Sequence, residues 1–262
     1  MNPDLIKVLK KLDRLFKQEK INYVLVGALV PQILIDMQEK DGHGYGIRKT
    51  IDVDFVVNMK SWEGYEYLMD RLEKAGLEKR SDEPEHRLFM DGIAVDLVPY
   101  DPQILKEDQT LIWPRSGNRM KMAGYQFLFR YARSEDILNE QTIQMAPLPL
   151  IVYCKCLAFQ DRKFMKDLVD ILYILAHYEE LTVSDRRIMD DIPDRIPLEL
   201  RGAYLLGMDL VKLDLPADMM QTLKILETID EGQLYAAESK VYLRENDGQA
   251  FIHALMKGAG LT

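Results

Sequence analysis

Apolar residues near the amino terminus recur three and four positions apart. Leu5, Val8, Leu9, Leu12, Leu15 and Phe16 make one stripe, and Asn2 followed by Pro3 suits a cap and first turn, so Pro3 to Lys20 reads as an amphipathic helix. Tyr23 to Val26 is a short β-type run that ends at Gly27-Ala28, and Leu29 to Met37 is helical again, with Pro31 tolerated in the first turn. Glu39 to Thr50 carries Gly42, Gly44 and Gly46 and reads as a mobile loop. Strand character returns at Ile51 to Val57. Ser61 to Ala75 predicts a helix that Gly76 closes, and His86 to Met90 and Ile93 to Val98 predict two strands joined by Asp91-Gly92, a type I′ hairpin turn.

Beyond about Asp101 the period lengthens. Leu150 to Gln160, Phe164 to Tyr178, Leu198 to Val211 and Met219 to Ile229 predict helices, and Thr142 to Met145 is a short extended stretch before Pro147 and Pro149. The fold class expected is α+β: a mixed sheet with flanking helices in residues 1–125, then a mostly helical domain in 126–262, with the division between about 100 and 135. No internal repeat or low-complexity tract is visible.

Composition narrows the reading. Of 262 residues, 47% are hydrophobic and 29% charged, which is ordinary for a globular chain and argues against disorder. The longest nearly apolar run, Tyr23 to Ile35, is broken by Gly27, Pro31 and Gln32 and falls short of the roughly 20 apolar residues that cross a bilayer. Lys7, Lys10, Lys11, Asp13 and Arg14 do not belong to a secretory signal, so a cytoplasmic protein without membrane partners is expected. Cys154 and Cys156 stand at i and i+2 of a helix, where they point apart, and neither a disulfide nor a shared metal follows. A net charge of −9 opposes indiscriminate nucleic-acid binding. Between Gln109 and Ser134 the charged residues are Arg115, Arg119, Lys121, Arg130 and Arg133, which read as a solvated basic face. His43, His86, His177 and His253 have no metal-ligand spacing. Trp62, Tyr65 and Tyr67 read as packing residues.

The chemistry concentrates in the strands. Side chains alternate along a strand, so Asp52 and Asp54 share a face opposite Ile51, Val53 and Phe55. Two carboxylates on one face repel, and a divalent cation removes that cost; Mg²⁺ takes oxygen ligands, commonly one or two carboxylates together with substrate phosphates. Asp96 stands alone among Ile93, Ala94, Val95, Leu97 and Val98. If its strand lies beside that of Asp52, it can complete a second metal and help deprotonate an attacking hydroxyl. Gly27, between a strand and a helix, lets backbone N–H groups approach phosphate.

Val26-Gly27-Ala28, Arg48-Lys49-Thr50-Ile51-Asp52-Val53-Asp54 and Val95-Asp96 together resemble the nucleotidyltransferase superfamily, the fold of polymerase-β-like enzymes. The Arg-x-Thr leading into Asp-x-Asp is similar to the AbiE-type toxins of type IV toxin–antitoxin systems. So are Lys155, Ala158 and Arg162 followed by Lys166-Asp167 and Asp170, and the resemblance covers roughly residues 20 to 178. The family's turn is commonly Gly-Gly or Gly-Ser; Ala28 omits the hydroxyl and leaves the backbone contacts.

The resemblance implies a transferase that moves a nucleoside monophosphate from a nucleoside triphosphate to an RNA or protein acceptor, with Mg²⁺ or Mn²⁺ on Asp52, Asp54 and Asp96. Gly27, Ala28, Arg48, Lys155, Lys166 and Asp167 would bind the nucleotide, and an antitoxin protein would be a partner. Arg48 and Lys49 end the glycine-rich loop, where they can reach triphosphate or pin the loop in an ion pair. Lys155, Lys166 and Asp167 can equally form an ordinary network with Asp170. An antibiotic-modifying transferase is the competing reading on substrate. A catalytically inactive binding module of the same fold is the competing reading from another class.

Overall fold

The structure is a computed structural model that describes residues 3–36, 50, 52–137, 141–178, 186–241, 243 and 247–262. Arg48, Lys49, Ile51 and all of the glycine-rich loop but Thr50 lie outside the described residues. The chain forms two compact units, Met1–Val30 with Thr50–Pro147 and Pro31–Lys49 with Leu148–Thr262.

The first unit opens with α1, Pro3–Gln18, which buries Leu5, Val8, Leu9, Leu12 and Phe16 on one stripe. A buried acid, Asp13, lies on the same helix; it accepts a hydrogen bond from the Tyr23 hydroxyl and an ion pair from Lys17 at 2.8 Å. This satisfies a charge that burial would otherwise penalise, and burial beside Asp13 pushes the Tyr23 hydroxyl far above its ordinary pKa. Strand β1, Tyr23–Val26, is followed by the Gly27-Ala28 turn and by α2, Leu29–Asp36, which belongs to the second unit from Pro31 on. Then come β2, Val53–Asn58, and α3, Trp62–Lys74. The Ser61 hydroxyl caps α3 by accepting from the Gly64 N–H at 3.1 Å.

Strands β3, Arg87–Met90, and β4, Ile93–Tyr100, form the expected hairpin, with positive φ at Asp91 (52°) and Gly92 (79°) as a type I′ turn requires. A two-stranded ribbon, β5 (Thr110–Ile112) and β6 (Arg119–Lys121), and helix α4, Tyr125–Tyr131, precede β7, Arg133–Ile137, and β8, Gln141–Met145.

The described strands include a six-stranded mixed sheet in the order β3-β4-β2-β1-β8-β7. Its centre is parallel between β2 and β4 and antiparallel between β1 and β2. Every residue of β4 is buried, as in a strand covered on both faces. Phe16, Tyr23 and Phe55 form an aromatic cluster between α1 and the sheet, with Phe55 set edge-on to both other rings at 5.2 and 5.4 Å.

Two expectations change here. The extended stretch near Thr142 is strand β8, which pairs in parallel with β1 and antiparallel with β7, so the sheet-bearing unit runs to Pro147 and not to residue 125. The reason is non-local: β1 offers an open edge, and Leu25 aligns with Met145 to fill it. Tyr67 is 62% exposed, whereas Trp62 and Tyr65 do pack, both against Trp113.

The second unit is helical. Its main elements are α5 (Leu148–Arg162), α6 (Met165–His177), α7 (Arg187–Asp190), α8 (Arg201–Val211), α9 (Ala217–Met220), α10 (Glu231–Glu238) and α11 (Asp247–Gly258). The single helix expected at Met219 to Ile229 is instead the end of α9 and a 3₁₀ stretch, Gln221–Thr228, that buries Leu223 and Leu226. Among the described residues no helix is long and apolar enough to cross a membrane.

Phe55→Ala removes a ring with no solvent exposure from the α1–sheet cluster. Denaturant unfolding should show a loss of about 3–5 kcal/mol, the usual cost of such a cavity.

Candidate functional site

The site grows from the alignment of β2 and β4. These strands pair in parallel with Asp54 directly beside Asp96, and cross-strand partners point to the same face. Asp52 precedes β2 by one residue, and the two-residue period carries its side chain to the Asp54 side; its N–H reaches the Thr50 hydroxyl at 3.4 Å. On the other flank of β2, Val26 pairs with Asp54, so the turn at Gly27 begins beside that carboxylate. Gly27 has φ of +77°, and a Cβ there would fall inside the Asp54 side chain, 2.8 Å from its Cγ. Glycine is thus required twice at this position, for backbone conformation and for close approach. Asp52, Asp54, Asp96 and Gly27 are therefore assembled by one sheet. Ala28 follows in the same turn, half-buried.

One charged residue beside these acids escaped the sequence reading. Arg87, on β3, is the cross-strand partner of Asp96 and binds it with both arms of the guanidinium: Nε donates to Oδ1 and Nη2 to Oδ2, each at 2.7 Å. Its Nη1 reaches Glu83 at 3.4 Å. The hydrogen bond to Asp96, and then the charges of Asp96, Asp52 and Glu83, hold the guanidinium proton more firmly than usual, against the opposing effect of burial. The alternation of the hairpin carried a signal. Counting back across Asp91-Gly92 places Arg87 opposite Asp96, as a β-hairpin with a two-residue turn dictates.

The donor set is all carboxylate, as a hard divalent cation prefers, and Asp52 with Asp54 fits the one or two carboxylates that Mg²⁺ takes beside phosphate oxygens. Among the described residues no three His, Cys, Asp or Glu side chains are gathered tightly enough to hold a metal ion. Asp96 stands in register for such a group, yet both of its oxygens are engaged by Arg87.

The residues expected to touch nucleotide from the helical unit have other partners. Asp167 is fully buried; Arg162 grips it through Nε at 2.9 Å and Nη2 at 2.8 Å, and Lys155 lies 3.4 Å away. Lys155 is bound more closely to Asp170, at 2.6 Å. These four side chains form one ion-pair network that ties α5 to α6. Asp167 has no exposed surface here: Arg162 clamps it, and Lys155 joins it to Asp170. Lys166 is exposed, with its ammonium 5.9 Å from the ring of Phe164. Arg48 lies outside the described residues.

The remaining candidates are quiet. Cys154 and Cys156 are free thiols, and burial pushes both upward, Cys154 to about 12, which leaves neither as a nucleophile. Arg119 and Lys121 extend to Asp108, at 3.7 and 3.1 Å, on the exposed ribbon. His86 packs against Trp113, and its imidazole pKa is lowered mainly by burial.

No family model matches this chain, and no curated protein matches it. Among solved structures it is similar to an antigenic nucleotidyltransferase-like protein from Paracoccidioides brasiliensis, at 19% identity over 76% of this chain and 94% of the other, with a TM-score of 0.42. It is similar to the antibiotic-resistance factor ANT(2'')-Ia at 11% identity, over 70% of this chain and 85% of the other, with a TM-score of 0.40. A tRNA-processing enzyme aligns at 12% identity over 98% of this chain and 79% of its own, with a TM-score of 0.27.

Two substitutions test this geometry. Gly27→Ala should destabilise the first unit by about 1–2 kcal/mol for the left-handed backbone alone, and more as Asp54 is displaced; thermal melts would measure it. Asp167→Ala leaves Arg162 and Lys155 facing an empty buried site and should cost about 3–5 kcal/mol in denaturant unfolding. A neutral outcome would show that the ion-pair network does not hold α5 to α6.

Proposed function

We propose that this chain is a metal-dependent nucleotidyltransferase that moves a nucleoside monophosphate from a nucleoside triphosphate to a hydroxyl of an RNA or protein acceptor. The observation that carries the reading is the register of Asp54 with Asp96 on adjacent parallel strands, with Gly27 pressed against Asp54. Acids beside a side-chain-free turn support a triphosphate site there.

Asp52 and Asp54 would hold Mg²⁺ or Mn²⁺, which supplies Lewis-acid polarisation of phosphate oxygens and screens their charge. The Gly27-Ala28 backbone would approach the phosphates closely, since no side chain stands between them and the N–H groups. The acceptor hydroxyl oxygen forms a bond to the α-phosphorus as the bond from that phosphorus to pyrophosphate breaks. Asp96 takes the hydroxyl proton at a carboxylate oxygen once Arg87 has released it. Lys166, exposed on α6, and Arg48 are the cations proposed for nucleotide contact.

The resemblance of Arg48 to Asp54 and of Lys155 to Asp170 to AbiE-type toxins supports a toxin role, with an antitoxin as partner and the cytoplasm as the site of action. A second reading, a nucleotide-binding module without turnover, is favoured by the bidentate Arg87–Asp96 pair, which engages both Asp96 oxygens and makes the carboxylate a weaker base.

Asp54→Asn separates the two. It keeps the size of the side chain and removes its charge, so transfer of radiolabelled nucleotide to RNA, protein or aminoglycoside acceptors should fall on the order of 10²–10³-fold. The melting temperature should hold or rise as carboxylate repulsion is relieved. Wild-type protein that transfers nothing with Mg²⁺ or Mn²⁺ would favour the binding module. Undiminished transfer by the variant would remove Asp54 from the chemistry.

A further inference from the structure

The free protein must hold Asp52, Asp54 and Asp96 on one face without the cation that the proposed chemistry requires, and Arg87 is placed to make that tolerable. We infer that Arg87 is the resident counter-cation of Asp96 and that it competes with divalent metal for that carboxylate; the inference rests on the nucleotidyltransferase reading of the same acids.

Three observations support it. Arg87 sits opposite Asp96 on the edge strand β3, so hairpin register and not chance of rotamer brings the two together. Its planar fork matches the carboxylate, with two contacts of 2.7 Å that occupy one lone pair on each oxygen. The pair is also poorly solvated: the Arg87 side chain is 27% exposed and that of Asp96 12%, so water and salt screen its charge weakly. A divalent ion approaching Asp96 meets oxygens already committed to N–H groups and a fixed positive charge a few ångströms away. Guanidinium cannot relieve this by losing its proton. The cation must swing aside, and Glu83, already 3.4 Å from Nη1, offers it an alternative acceptor. Asp96 would join a metal ion at this face only after that exchange. Arg87 therefore acts through Asp96 as a positioning residue.

Binding of Mn²⁺ alone, followed by the loss of its free paramagnetic signal in a titration of the full chain, tests this without any turnover. Arg87→Gln should tighten Mn²⁺ binding on the order of 10-fold, as expected for removing a positive charge from beside a cation site. Arg87→Lys, the variant to use should Gln impair folding, leaves one Asp96 oxygen open and should tighten binding by a smaller factor. The gain should vanish in Arg87→Gln combined with Asp96→Asn. In addition, Arg87→Gln should melt lower than wild type without metal and recover with Mn²⁺, a rescue that a merely structural staple between β3 and β4 would not show. Unchanged Mn²⁺ affinity in both Arg87 variants, or a gain that persists without the Asp96 carboxylate, overturns the inference. Tightening by Arg87→Gln in a protein that transfers no nucleotide would uphold Arg87 as counter-cation and sink the transferase reading alone.

Discussion

Like charges on one face of a sheet set the terms for the whole sheet-bearing unit. Carboxylates on one face repel, and the cost is met only by a counter-charge, a cation or solvent. β2 and β4 nevertheless bring Asp54 and Asp96 into register, with Asp52 next along the chain. Among the described residues two features meet this constraint. Arg87 neutralises Asp96 from the neighbouring strand. Gly27, having no side chain, lets the Asp54 carboxylate lie against the turn after β1. The hydrophobic work is done on the opposite side of the same residues: Val53, Phe55 and Val57 are fully buried, and the Phe16–Tyr23–Phe55 cluster seats α1. Acids that would weaken an isolated strand are thus carried by a sheet whose other face supplies the stability.

The helical unit solves a related problem with the opposite outcome. Asp167 and Asp170 enter α6 facing inward, and Lys155 and Arg162 of α5 follow them. Burying these charges costs desolvation, and the network regains it only because nearly every oxygen has a partner. What it contributes is register: α6 cannot rotate or slide along α5 without stranding a charge. The same residue types that resemble a nucleotide-contacting signature here act as the clasp of a helix pair. Burial is the deciding quantity, since Asp167 has no exposed surface while Asp96 keeps a little and Asp54 more.

Local pattern made much of this legible. The stripe from Leu5 to Phe16, the cap at Ser61 and the Asp91-Gly92 turn each encode their element within a few residues, because helix phase, capping and turn conformation are short-range properties. Alternation along Asp52-Val53-Asp54 likewise fixed which carboxylates share a side. Where the reading fell short, the missing information was distant in sequence. Thr142 to Met145 looked like a brief extended stretch before a proline pair; it belongs to strand β8 because β1 has an open edge for it, more than a hundred residues earlier. Arg133 and its neighbours lacked the alternation of a buried strand because β7 lies at the sheet edge, where one face stays wet.

The sequence alone determined the α+β class, the order of the main elements and the set of acids, since each follows from composition and from periods of 2 and 3.6. Only the tertiary structure decided what those acids meet. The alignment of Asp54 with Asp96 depends on which strand lies beside which, and the grip of Arg87 on Asp96 depends on that alignment together with the hairpin register. The burial of Asp167 depends on how α5 and α6 pack. A strand's own residues specify its faces but not its neighbours, and the charge environment of a carboxylate is a property of its neighbours.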